Sequence, residues 1–164
     1  MKGIVRTDNM TGTRNGAKLC SVKYYVSTTP TAIENGRVVK VEGLLSGETD
    51  IRKAVAPTAG TAKANIALIA SVEVNKDKKY TALGDFENAA GAVARGYFLD
   101  DAHQFFAVSP DCVDVADGVT VAAGKIVELQ ASTKLKITNS LTQDSTQIGT
   151  VYAIENGLYV IETC

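Results

Sequence analysis

The chain has 164 residues, 45% of them hydrophobic and 21% charged, with a formal net charge of -1. That is enough apolar material for a buried core, which excludes extended disorder. The near-neutral balance excludes a surface that seeks nucleic acid through bulk charge.

Residues 1–16 are rich in Gly, Thr, Asn and basic side chains and carry no sustained periodicity, so they read as an extended arm ahead of one β-rich domain over 17–164. Lys2, Arg6, Arg14, Lys18 and Lys23 stand against the single acid Asp8, and the rest of the chain is net acidic. A basic end on an acidic body points to docking on an acidic surface, and these five cations are the candidate contacts. The first residues, Met1-Lys2-Gly3-Ile4-Val5-Arg6, lack an apolar run of signal-peptide length, and no stretch is long enough to span a bilayer. The expectation is a chain kept inside the cell, with no membrane partner.

From Lys18 onward the pattern alternates. Val22, Tyr24 and Val26 share one face, with Ser21, Lys23 and Tyr25 on the other. Asn35-Gly36 then suits a two-residue type I′ turn, where both central residues need positive φ, and predicts a hairpin between 31–34 and 37–42. Further strands are expected at 48–54, 65–74, 93–99, 104–109, 125–130, 134–137 and 148–154, with a loop over 54–61. One helix is conceivable at 85–94 with Asp85 as its N-cap, although Gly91 interrupts it. Near the end, Ala153-Ile154-Glu155-Asn156-Gly157 repeats Ala32-Ile33-Glu34-Asn35-Gly36 letter for letter. A second hairpin follows at Asn156-Gly157. Two copies are fewer than a solenoid or propeller requires, so reuse of one turn chemistry is favoured over duplication. Short strands divided by dense turn residues make the fold class all-β, a compact barrel or sandwich with an N-terminal arm and hairpin extensions.

Little in the sequence carries chemistry. His103 is the sole histidine, so any imidazole-dependent nucleophilic system must use it, and its setting, Asp100-Asp101-Ala102-His103, reads as a polar turn. Asp111, Asp114 and Asp117 do not have EF-hand spacing and read as turn acids. Cys20, Cys112 and Cys164 form no C-x-x-C pair, so three reduced thiols are expected, with Cys20 a small core residue. No glycine loop has the spacing that cradles a phosphate. Tyr24-Tyr25, Phe98 and Phe105-Phe106 lie in strand-like runs and suit a core or an interface. The reading is of a non-enzyme with no cofactor and no metal.

The middle of the chain also resembles a known family. Ile51-Arg52-Lys53-Ala54-Val55-Ala56-Pro57-Thr58-Ala59 leads to Ala67-Leu68-Ile69-Ala70-Ser71-Val72-Glu73-Val74, then Phe86-Glu87-Asn88-Ala89-Ala90-Gly91 and Ala94-Arg95-Gly96-Tyr97-Phe98-Leu99. Gln104-Phe105-Phe106-Ala107-Val108-Ser109 and the run from Val127 to Ile137 follow. In this order the segments, over roughly residues 32–162, resemble the head decoration (cement) proteins of tailed bacteriophages. The resemblance implies a β domain on the outside of an icosahedral shell, bound to the major capsid protein and bracing it, with a homotrimer favoured. It implies a virion location after assembly in the host cytoplasm, and no catalytic residues. His103 departs from the family pattern, where a glycine or acidic turn would be expected. The alternatives are another virion β-protein, such as a tail-tube or baseplate component, and a receptor- or carbohydrate-binding module.

Overall fold

The computed structural model describes residues 2–74 and 83–164. In chain order the elements are β1 (Val5–Asn9), α1 (Thr11–Arg14), β2 (Leu19–Val26), β3 (Thr29–Pro30), β4 (Val38–Leu44), β5 (Ile51–Val55) and β6 (Ile66–Ile69). There follow β7 (Ala94–Phe98), β8 (Phe105–Val108), β9 (Val113–Val115), β10 (Ile126–Glu128), β11 (Leu135–Thr138), β12 (Gln147–Glu155) and β13 (Leu158–Thr163). Single 3₁₀ turns at Gly16–Lys18, Lys63–Asn65, Leu83–Asp85 and Pro110–Cys112 complete the list of described helical pieces. The fold is all-β.

Five strands close on themselves in the order β2-β5-β4-β6-β7, with β7 returning to β2, and only the β2–β5 pair is parallel. β3 extends one end of this barrel by pairing with β2. A barrel this narrow admits only small or β-branched interior side chains. Its interior is accordingly Val22, Val39, Val41, Ala54, Ala67, Ile69 and Ala94, closed by Ile33. Gly96 is part of the same economy, since a Cβ there would stand 2.7 Å from Cys20 Sγ and 3.1 Å from Ala67 Cβ.

The other strands form an open sheet, ordered β1-β8-β13-β12-β10-β11-β9, antiparallel except for β11–β9. Its inner face packs on the barrel. Phe106, Val108, Val127, Leu135, Ile137, Ile148, Val151 and Ile161 meet Val38, Ile66, Leu68 and Tyr97 in one buried cluster. β6 is therefore covered on both sides, with Ala67 and Ile69 turned into the barrel and Ile66 and Leu68 turned to the sheet. That is why its sequence is continuously apolar while most other strands alternate.

Three expectations are corrected. Residues 1–16 are not a free arm among the described positions: β1 pairs antiparallel with β8, Val5 opposite Val108 and Arg6 opposite Ala107, and Met10 is buried in the larger core. The signal was hidden because only Val5 and Met10 of this segment carry apolar weight inward, and a shift of register lies between Arg6 and Asn9. No helix forms over 85–94. Asp85 closes a 3₁₀ turn, Asn88 exchanges backbone hydrogen bonds with Ile33, and Gly91 has φ 76°. Pairing with Ile33 removes the middle of the segment from any helix.

The third correction concerns the repeated pentapeptide. Asn156-Gly157 is the expected tight hairpin, with φ of 52° and 77° and Glu155 opposite Leu158 across β12 and β13. Asn35-Gly36 is a turn but not a hairpin. Gly36 alone has positive φ, at 78°, and β4 pairs with β5 and β6 instead of with the residues before the turn. The Asn35 side chain is 1% exposed and works as a buried tie. Its Oδ1 accepts from Ser71 N (3.0 Å) and Asn88 Nδ2 (3.3 Å), and its Nδ2 donates to Ser71 O (2.8 Å) and Glu73 Oε1 (3.2 Å). Identical letters thus serve two unrelated backbones, and the two segments share no fold-level symmetry.

Candidate functional site

The barrel has one open end where β2 and β5 begin and β4 and β7 finish. An open groove of about 750 Å³ lies there, lined by Gly16, Ala17, Leu19, Cys20, Ser21, Gly43, Leu44, Thr49, Asp50, Arg52, Arg95 and Phe98. Arg52 stands two residues before the interior Ala54, so it follows the interior face and emerges at the mouth. Cys20 and Phe98 pack beside it against the barrel core. Arg95 reaches the groove from the outer face of β7. Both arginines are exposed, and neither has an ion-pair partner among the described residues.

Burial pushes the Cys20 thiol up to about 11, partly offset by the Arg52 charge. Burial thus favours the protonated Cys20 thiol at ordinary pH. What the groove offers is two guanidinium forks, the Ser21 and Thr49 hydroxyls and one acid, Asp50. Guanidinium groups favour planar carboxylate or phosphate partners through paired N–H donors.

Of the five cations expected to contact a partner, four pair with acids of the chain itself. Lys2 pairs with Glu87 (2.7 Å), Arg6 with Asp8 (3.0 Å) and Lys23 with Glu48 (3.6 Å). Lys18 bridges Asp100 (2.8 Å) and Asp101 (2.9 Å), which raises its own pKa through those hydrogen bonds and lowers that of Asp101. These four stitch the N-terminal segment to the chain's own acids. Arg14, exposed in the last turn of α1, has no ion-pair partner among the described residues. The structure does not gather the five on one surface element.

His103 occupies a turn at φ 60°, and its Nδ1 lies 2.9 Å from Glu162 Oε1 on the surface. Left-handed φ is a position that glycine fills without strain and that histidine adopts less often. Asp111 sits in the 3₁₀ turn Pro110–Cys112 and Asp117 precedes the positive-φ Gly118, both as turn acids. Asp114 instead lies on β9, accepting from Gln130 (2.8 Å) and pairing with Lys134 (3.3 Å). No three His, Cys, Asp or Glu side chains among the described residues group as a metal site would need. All three cysteines are free, with Cys112 buried and Cys164 exposed. No described helix is long and apolar enough to cross a membrane.

A second surface is apolar. On the outer face of the large sheet Tyr152, 58% exposed at a β-bulge of β12, meets Phe105 edge-on with ring centroids 5.1 Å apart. A shallow groove of about 230 Å³ beside it is lined by Arg6, Asp8, Phe105, Glu155, Asn156, Leu158 and Val160, among others.

The arginines at the barrel mouth were missed from sequence. The period-2 reading of residues 48–54 gives the parity of Arg52, but only ring closure through the β2–β7 pair places it at an opening beside β7. Comparison of the chain with protein-family models, with curated proteins and with solved structures found no match in any of the three.

Proposed function

We propose that the chain is a non-catalytic virion protein that binds the outer surface of a tailed-phage capsid and braces it, with the major capsid protein as its partner. The reading rests on the family resemblance of the strand segments. The observation that carries it in three dimensions is the barrel mouth: Arg52 and Arg95, without acid partners among the described residues, border a wide groove on a rigid β scaffold. Attachment to an acidic capsid surface then runs through this groove, and not through Lys2, Lys18 and Lys23, whose charge is already matched within the chain. Each exposed contact contributes modestly, and repetition over a symmetric shell, as a trimer or otherwise, supplies the avidity.

The test is sedimentation with bare shells of the phage that encodes the protein, comparing wild type with an Arg52→Glu/Arg95→Glu variant across a salt series. The reading expects the variant to lose occupancy at low salt, and the difference to narrow as salt screens the charges over about 8–10 Å. Equal occupancy at low salt would remove the groove from the attachment. Absence of wild type from its own shells would remove the decoration reading.

Exposed Tyr152, edge-on to half-buried Phe105, favours a second reading, a carbohydrate-binding module, because an exposed aromatic can serve as a sugar platform. Binding on a glycan array that is abolished by Tyr152→Ala would establish it. Self-assembly into rings or tubes without a shell would instead favour a tail-tube role.

A further inference from the structure

The identical pentapeptides make an internal experiment in backbone chemistry. An Asn followed by Gly is prone to deamidation, because the Gly nitrogen meets no side-chain obstruction when it attacks the Asn carboxamide. Attack forms a bond from Gly N to Asn Cγ. The amide nitrogen leaves as ammonia, carrying the proton released by the Gly N–H. A five-membered succinimide remains, and water opens it at either carbonyl to give aspartate or isoaspartate. Water is the only co-reactant.

We infer that Asn156 is a spontaneous modification site of the folded protein and that Asn35 is protected from the same reaction. Asn35 is held at both of its reacting groups. Its amide makes the four hydrogen bonds described above, and the Gly36 N–H donates to Ile69 O at 2.8 Å. Reaching Cγ would require breaking this set inside a site closed to water. Asn156 and Gly157 are both exposed at the hairpin tip. A Cβ at Gly157 would meet nothing within 4 Å, and no described residue binds the Asn156 amide or accepts from the Gly157 N–H. A third pair, Asn15-Gly16, is exposed, but its Asn15 Oδ1 caps the following 3₁₀ turn by accepting from Ala17 N at 3.0 Å, which holds the carboxamide away from Gly16 N.

The product matters to the adjoining surface. A carboxylate at position 156 stands beside Glu155, on the groove that also bears Arg6 and Asp8. Isoaspartate also inserts a backbone methylene into a two-residue turn whose flanks, Glu155 and Leu158, are paired, so the hairpin tip loses its register.

The experiment is peptide mapping by mass spectrometry after incubation at mildly alkaline pH, of the native protein and of the same protein in urea. In urea Asn35 and Asn156 share their three preceding residues and the following glycine, so both should convert at similar rates. In the native protein Asn156 should convert at least about tenfold faster than Asn35 and faster than Asn15. Native conversion of Asn35 at the rate of Asn156 would overturn the inference. So would an unconverted native Asn156 when the urea sample converts, or conversion of Asn15 ahead of it.

Discussion

Glycines 36 and 157 show how far a single backbone position can be argued. Both have φ near 78°, a region that costs an L side chain roughly 1–2 kcal/mol. At Gly157 that strain is the whole penalty, since the tip is open. At Gly36 a Cβ would also collide with Cys112 Sγ in the larger core. Gly157→Ala should therefore lower stability by about 1 kcal/mol and Gly36→Ala by clearly more, on the order of 2–4 kcal/mol, as read by denaturant melts. Equal penalties would contradict the collision. Cys20 gives a pH dependence of definite sign. Its thiol ionises near 9 when unfolded and near 11 when folded, so its contribution is intact below pH 9 and declines as pH rises from there to 11. A Cys20→Ser variant should show a smaller loss of stability over that window. Lys18 acts in the same direction at higher pH, its pair with Asp100 and Asp101 being lost as pH rises through its raised value. Asp101 acts oppositely, its lowered value giving a contribution present above about 3.8 and lost as pH falls through the folded value.

At the scale of elements, the N-terminal segment is the clearest test. A free arm could be removed without loss of fold. A strand paired with β8 and followed by the buried Met10 cannot. Met10→Ala should cost about 2–5 kcal/mol, and deletion of residues 2–10 should leave a protein with a markedly lower melting temperature. An unchanged melting temperature in both would restore the arm. Glu128, buried on β10, ties down the loop between β11 and β12 by accepting from Thr142 N (2.7 Å) and Thr142 Oγ1 (2.6 Å). Glu128→Ala leaves both donors without that partner and should destabilise by about 1–3 kcal/mol in the same assay.

What was legible in the sequence follows from periodicity. β2, β4, β7, β8 and the β12–β13 hairpin were readable because alternation and turn residues agree there, as in Val39 and Val41 against Lys40 and Glu42. β1 was not, because its pairing with β8 is decided by a partner far along the chain, and β3, paired with the neighbouring β2, has only two residues and shows no period. The Asn35 turn defeated local reasoning for the same reason: its amide is claimed by Ser71, Glu73 and Asn88. The cations of the first 23 residues were legible as charge but not as pairs, since Glu87, Glu48, Asp100 and Asp101 come to them only through the fold.

The whole molecule packs an open sheet against a closed barrel, with β6 contributing side chains to both cores, and presents a groove bearing two arginines at the barrel mouth. Its chemistry is that of a surface, with rigid strands, exposed guanidinium groups and a neutral thiol beneath them. We propose that this surface seats the chain on the outside of a phage shell. Cryo-electron microscopy of purified shells mixed with the protein tests it most directly. The account predicts density for this barrel and sheet at symmetric positions on the outer surface, with Arg52 and Arg95 turned toward acidic groups of the capsid. Shells left bare at saturating protein, or density confined to the tail, would contradict it.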